Sequence, residues 1–465
     1  MKRNIFLAIA VTALMVASTI AQAADVSFSG QIRPRFNLDE STTDMNRTAS
    51  QVFDTRVRLN AKANVNANTE VFLQFQSVGA WGTNNADQTT GTRQSNGGGA
   101  ADGQASDGLS DVGFHQAYLT LKNVAGQGFD AKIGRQEIIL DGHRLFGNTG
   151  WTQGAETKDA IRLTHAGGNH TVNYAYIAAN NADSIATSVN NNANVHVLHT
   201  KTQGVLGGAL SGYVTMTSET TSDGTGSDAQ NWFTVGARQA GSVAGIDYRV
   251  EYYHQLGDAG AVANSSGYGI TDALTAERDA GMFGIRLGKK IGSGAVTLWY
   301  DRLSGVDDED QSSGDWGAFD TMYDTGHKFY GFQDFYLARN GAGTRFFGLQ
   351  DIALKTKMSP RAGWTLKADV HHFRTATDLT GGDADGIIAS LTDAANVING
   401  AMDNDLGTEV DLTVVHKYDA NTKIVAGYSH YFTTSTFSQL NGAGNRGSNA
   451  NDDSDWAYVM VDTKF

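Results

Sequence analysis

The sequence predicts an all-β fold: a transmembrane antiparallel β-barrel of about eighteen strands, with short periplasmic turns and long extracellular loops. Three observations predict it. Apolar and polar residues alternate in segment after segment, the period of strands with one greasy and one wet face. Short connections alternate with long ones, the asymmetry of a sheet threaded back and forth through a membrane. The last stretch, 455–465, is a mostly alternating run that closes on an aromatic, Phe465. A barrel needs such a strand last, because it must pair with the first and leave no open edge in lipid.

The N-terminus sets the compartment. Lys2 and Arg3 precede an apolar run at 5–17, and Ala21, Gln22 and Ala23 form an A-x-A cleavage site. This pattern predicts an export signal over 1–23 and one barrel domain over 24–465. The apolar run is too short for a membrane anchor, and no run of about 18 apolar residues follows it. Candidate strands begin near Asp25, Gln51, Asn68, Asp111, Gly128, Asp159, Asn169, Asn194 and Gly207. Further ones begin near Gln230, Val243, Ala280, Ser293, Arg345, Gly363, Asp405, Asn421 and Asp453.

The alternation is clearest in a few of them. Phe53, Val57, Leu59, Ala61 and Ala63 interleave with Asp54, Arg56, Arg58, Asn60 and Lys62. Val26, Phe28, Ile32 and Phe36 interleave with Ser27, Ser29, Gln31, Arg33 and Arg35. Ile246, Tyr248, Val250 and Tyr252 interleave with Asp247, Arg249 and Glu251. The same holds for Val370 against Lys367 and Asp369, and for Leu412 against Glu409 and Asp411. The stretch 345–356 alternates poorly and is placed by turn signals alone. Both termini fall on the side of the short turns, so the topology closes.

Composition agrees. The chain has 55 Gly, 21 Phe and 16 Tyr with 2 Pro and no Cys, which suits paired strands and turns. Without cysteine there is no disulfide framework, thiol nucleophile or Cys-based metal site. A formal net charge of −14 argues against nucleic acid as a partner. The twelve His show no metal-ligand spacing, and His371 and His372 must face opposite sides of a strand. No G-x-S-x-G or comparable setting appears, so neither an enzyme nor a cofactor is expected. The segment 304–325 carries Asp307, Asp308, Glu309, Asp310, Asp315, Asp320 and Asp324 with no basic residue. Its spacing matches no calcium loop, so a solvated acidic loop is the simpler reading.

If the apolar positions face lipid, the lumen receives Arg33, Arg35, Arg56, Arg58, Arg162, Arg249, Arg286 and Lys367, with Lys62 and Lys132. It also receives Asp54, Asp247, Glu251, Glu409 and Asp411, with Asp130, Asp301 and Asp369. The plain reading is a mutually neutralised wall. The sharper one starts from the four arginines on the first two strands. A basic patch in a constricted, low-dielectric pore attracts an anionic solute, and the guanidinium fork meets a carboxylate with two bonds.

The run G-R-Q-E-I-I-L-D-G-H-R-L-F-G-N-T-G-W at 134–151 resembles the signature of the alginate export family of outer-membrane channels. F-D-T-R-V-R-L-N at 53–60, H-K-F-Y-G-F-Q-D-F-Y-L at 327–337, L-G-T-E-V-D-L at 406–412 and A-G-Y-S-H-Y-F at 426–432 fit it too. The resemblance implies an eighteen-stranded barrel in the Gram-negative outer membrane and an arginine-rich constriction for a polyuronate. By motif position Arg56, Arg58, Arg135 and Arg144 are the matching candidates, with Glu137 and Asp141 available as structural partners in the same loop.

The expected function is passive passage of an anionic, alginate-like polysaccharide or its oligomers. The expected partners are outer-membrane lipid and lipopolysaccharide, the polymer, and a periplasmic complex that delivers it. Two other readings stay open: a porin for small polar or anionic solutes, and a surface-anchored binding barrel that works through its acidic loops.

Overall fold

The computed structural model describes residues 25–39, 50–81, 112–180, 193–222, 227–259, 276–336, 344, 346–380, 402–442 and 453–465. The first strands are β1 (Asp25–Asp39), β2 (Ser50–Asn66), β3 (Thr69–Ala80), β4 (Gly113–Val124), β5 (Phe129–Gln136) and β6 (Lys158–Gly167). Next come β7 (His170–Asn180), β8 (Ala193–Val205), β9 (Gly208–Ser222), β10 (Ser227–Val243), β11 (Ile246–Asp258) and β12 (Glu277–Ile291). The last are β13 (Gly294–Leu303), β14 (Leu349–Met358), β15 (Trp364–Arg374), β16 (Asp405–Lys417), β17 (Thr422–Thr433) and β18 (Ser454–Lys464). Each begins within four residues of its sequence-based position. The widest gap is at β14, which starts at Leu349. Arg345, like the export signal over 1–23, lies outside the described residues.

All eighteen strands form one antiparallel sheet, each paired with its sequence neighbours, and β1 pairs with β18 to close it. Closure runs to the last residue: Gly30 N–H donates to Phe465 O at 2.7 Å, and Phe465 N–H donates to Gly30 O at 3.1 Å. Gly30 is needed here, because a Cβ would run into the Phe465 ring. Full closure matters because each unpaired backbone group in hydrocarbon costs several kcal/mol. Among the described residues no helix is long and apolar enough to cross a membrane; the strands do the crossing.

Side-chain direction follows the alternation. Val57 and Leu59 point outward, whereas Arg56 and Arg58 are buried inside. The outward band holds exposed apolar residues such as Phe28, Phe53, Leu298, Leu354 and Val459. Exposure of these groups to water would be costly; exposure to lipid is not.

The expectation of a lumen lined by charge needs correction in its extracellular half. There the inward positions Ile177, Val195, Val197, Tyr253, Met282, Phe373 and Tyr431 are fully buried apolar residues. They pack on two segments folded into the barrel, 137–157 and 304–336, through Leu145, Phe146, Trp316, Phe329 and Tyr330, and on Phe347 just before β14. Each such side chain contributes about 1.5–3 kcal/mol by burial, enough to hold the inserted segments in place. Helix α1 (Asp308–Ser313) sits in the second segment. Its Asp307 accepts from Asp310 N–H and Asp310 accepts from Asp307 N–H, and Gly314 ends it at φ +83°. Helix α2 (Ser435–Gly442) follows β17 and buries Phe437 and Leu440.

Candidate functional site

The site is built by segment 137–157 crossing the lumen. Four non-glycine residues in it adopt the left-handed region: Asp141, His143, Thr149 and Ala155. Such positions cost on the order of 1–3 kcal/mol each and persist only where the surroundings over-determine them. Three sets of anchors do so.

The first is Asp141, which accepts from His199 at 3.0 Å, Lys201 Nζ at 2.9 Å and Tyr213 OH at 2.5 Å, on β8 and β9. The second is Arg144, which donates to Glu251 on β11, Asp301 on β13 and Tyr330 OH, and lies 3.8 Å from the Phe329 ring centre. The third is the arginine patch of β1 and β2. Arg33 donates to Gln153 Oε1 and to the carbonyls of Gly150, Trp151 and Thr152 at 2.8–2.9 Å. Arg56 donates to the carbonyls of Thr152 and Gln153, and Arg35 to that of Trp151 and to Asp54. Arg58 meets Gln76, His115 and, at 3.8 Å, Glu137.

This alters the expectation for that patch. Arg33, Arg35, Arg56 and Arg58 do point inward but are only 3–9 % exposed. Arg33, Arg35 and Arg56 satisfy buried loop carbonyls, which must find donors once removed from water, and Arg58 holds Gln76, whose Nε2 donates to the Gly154 carbonyl. Asp54 is buried in the same network, accepting from Gln153 Nε2 at 2.6 Å.

The two inserted segments are also joined to each other. Gly147 N–H donates to Tyr323 O, Tyr323 N–H to Leu145 O, and Thr325 N–H to His143 O, at 2.7–3.1 Å. Trp151 stacks on His327 with ring centres 4.3 Å apart. On the far wall Glu409 Oε1 accepts from Phe332 N–H at 2.5 Å and Gln333 N–H at 2.9 Å, while its neighbour Asp411 accepts from Ser429. Both carboxyls are buried, so they fasten the loop and wall rather than face the passage.

Opposite the arginine patch lies a different arrangement. Arg144, Arg238, Arg249 and Arg286 share two buried carboxylates, Glu251 and Asp301. Glu251 lies 3.2–3.9 Å from all four, and Asp301 beside Arg144 and 3.5 Å from Arg286. Asp141 is 3.9 Å from Arg238, but it also neutralises Lys201, so an excess of two positive charges stays. Guanidinium groups do not deprotonate in proteins, which makes the excess permanent. Arg249 and Arg286 face each other directly across the β11–β12 ladder, and Arg286 rides over the Trp299 ring. Arg238 Nε, Arg249 Nη2 and Arg286 Nε are buried without a hydrogen-bond acceptor among the described residues, as are Arg35 Nε and Arg56 Nε in the first patch. Gly142 leaves the room: a Cβ there would take the place of the Arg249 guanidinium.

The other expected positions are scattered. Arg162 donates to Asn173 Oδ1 and pairs across the ladder with Lys132, a second like-charge pair. Asp247 and Lys367 are exposed inside the barrel near the short turns. Arg135 must be corrected. It shares the outward face of β5 with the exposed Ile133 and pairs with Asp159 at 2.8 Å, so it does not line the lumen. Arg238 was not singled out from the sequence. The signal was present, since it alternates with the outward Val235 and Ala237.

Together the closed eighteen-strand sheet and the inserted loops define an outer-membrane, porin-like barrel channel. The chain belongs to the alginate export family, whose model matches residues 24–450. Among curated proteins none matches it. Solved structures similar to it are outer-membrane barrels of Pseudomonas aeruginosa. OccK10 (OpdN) has a TM-score of 0.56 at 9% identity, with 95% of this chain and 99% of that one covered. OccK3 (OpdO) has a TM-score of 0.55 at 12% identity, with 95% and 96% covered. OccK11 (OpdR) has a TM-score of 0.53 at 11% identity, with 95% and 96% covered. At these identities the likeness is one of fold.

Proposed function

We propose that the barrel is a passive channel for an anionic polysaccharide, alginate-like, or for its oligomers. A periplasmic complex that hands over the polymer fits this role. The observation that supports the reading is the guanidinium cluster of Arg144, Arg238, Arg249 and Arg286 around only Glu251 and Asp301. A fixed positive excess at a narrowing with low-dielectric walls lowers the energy of a passing anion and raises that of a cation. The Arg238, Arg249 and Arg286 side chains keep 11–14 % of their surface exposed beside the two carboxylates, so a passing carboxylate meets guanidinium edges there. No step requires catalysis or energy input.

The test is a planar bilayer with a salt gradient, followed by addition of oligouronates. The expected result is an anion-selective reversal potential and concentration-dependent block of the current. Cation selectivity, or a current indifferent to oligouronates at low salt, overturns the reading.

A further inference from the structure

Below the constriction, at the end of the barrel that carries the short turns, the inward faces of β14–β18 carry Lys355, Lys357, Lys367, Lys417, Lys423 and Lys464. Their direction follows from the outward exposure of Leu354, Val370, Val414, Tyr428 and Val459 on the same strands. At this level only two inward carboxylates answer them. Asp369 takes Lys355 at 3.3 Å and Asp462 takes Lys423 at 3.2 Å. Asp351, Glu409 and Asp411 lie higher on these strands and are buried. Asp419, in the turn below, is occupied by the N–H groups of Asn421 and Thr422. Lys357, Lys367, Lys417 and Lys464 are exposed and have no carboxylate within 4 Å among the described residues.

The register sharpens the point. Lys357 stands directly opposite Lys367, and Lys417 directly opposite Lys423. Like charges facing each other across a ladder are destabilising, and antiparallel sheets avoid them unless something else is gained. Two such pairs on four consecutive strands, all facing water inside the barrel, make a positive arc. Neighbouring strands are about 4.8 Å apart. Lys357 and Lys367 thus stand one strand apart, a step close to the length of one 1→4-linked uronate residue, and Lys417 with Lys423 lies four residues further toward the short turns, several uronate residues along the same chain. A phospholipid headgroup does not fit, because these side chains face the lumen and not the lipid. The opposite end differs in sign: segment 304–325 has seven acidic residues and no basic one.

We infer that this lysine arc is a docking site for a linear polycarboxylate at the periplasmic mouth, the first contact of the chain before it reaches the constriction. The inference rests on the reading that a polyanion is the cargo, and adds where it loads. Net flux still follows the concentration gradient. The arc sets the side from which the polymer is captured, by steering that weakens as the Debye length shrinks from about 10 Å at 0.1 M salt.

The experiment uses the full chain inserted in one orientation in a planar bilayer, fixed by the side on which protease cuts the long loops. Oligouronate is added to one side at a time, and the on-rate of block is read from single-channel records. The expected result is an on-rate from the periplasmic side about ten-fold or more above that from the extracellular side at low salt, in line with electrostatic steering. In K357Q/K367Q/K417Q/K464Q it should fall to the extracellular value, with reversal potential unchanged. Equal on-rates from both sides, or sidedness unchanged in the quadruple variant, overturn the docking site while anion selectivity keeps the proposed function. Loss of anion selectivity with sidedness retained does the reverse.

Discussion

Two arginine groups face each other across this barrel, and they do opposite things. On β1 and β2, Arg33, Arg35, Arg56 and Arg58 lie under segment 137–157, donating to its carbonyls and to buried side chains. On β10–β13 with the loop itself, Arg238, Arg249, Arg286 and Arg144 crowd around two carboxylates, four cations to two anions. Residue type and inward direction are the same. The kind of partner is not: neutral loop carbonyls and amides make an arginine a structural rivet, whereas carboxylates shared among several cations leave a fixed charge offered to a solute.

The largest expected effect breaks the first group. Arg33→Gln with Arg56→Gln removes donors from buried carbonyls and leaves them unpaired, at about 1–3 kcal/mol for each group stranded. Segment 137–157 should loosen. Conductance and current noise should rise and protease should cut within the segment, while reversal potential moves little. A large loss of anion selectivity without change in conductance would show that the rivets also act as the filter.

Arg249→Gln with Arg286→Gln should do the converse. It cancels the excess of two charges, so reversal potential should shift toward zero or to cation preference with open-channel conductance within about two-fold, because screening limits such fields at ordinary salt. Unchanged selectivity would take the filter away from this wall. A smaller effect is expected from Trp151→Ala, which removes the stack on His327 that ties the two inserted segments together. Aromatic pairs are worth about 0.5–1.5 kcal/mol beyond burial, so brief closures or flickers should become more frequent in single-channel records.

The smallest effect concerns pH at the extracellular end. Burial first, and then the neighbouring Asp307 and Asp315, push the Asp310 carboxyl from 3.8 up to about 7. The folded turn thus keeps a proton that the unfolded one releases. Its contribution to stability is full below pH about 4 and is lost as pH rises through about 7. Hydrogen-exchange protection factors around α1, corrected for the intrinsic pH dependence of amide exchange, should be higher at pH 5 than at pH 8, and Asp310→Asn should flatten the difference. A turn equally protected at both values would count against a shared proton there.

Much of this was legible in the chain alone. Lipid demands an apolar residue at every second position of a strand and tolerates no open edge, so strand number and direction follow from alternation and turn spacing, and closure from the cost of an open edge. That rule sends Arg56 inward and Val57 outward with no knowledge of neighbours. It also places Arg135 outward beside Ile133, and the motif match that put it in the pore ran against the alternation of its own strand. The lumen side is different. No solvent imposes a pattern there, so Tyr253, Phe373 and Tyr431 can be apolar where a charged wall was expected, because a loop from far along the chain comes to cover them.

A closed barrel with its greasy face outward is readable from residue order alone, since it follows from period and from the cost of bare backbone in hydrocarbon. Which inward charges are bound into the fold follows from packing: segment 137–157 brings its carbonyls to Arg33 and Arg56 from about a hundred positions away, while Arg249 and Arg286 are left sharing the strand carboxylates Glu251 and Asp301.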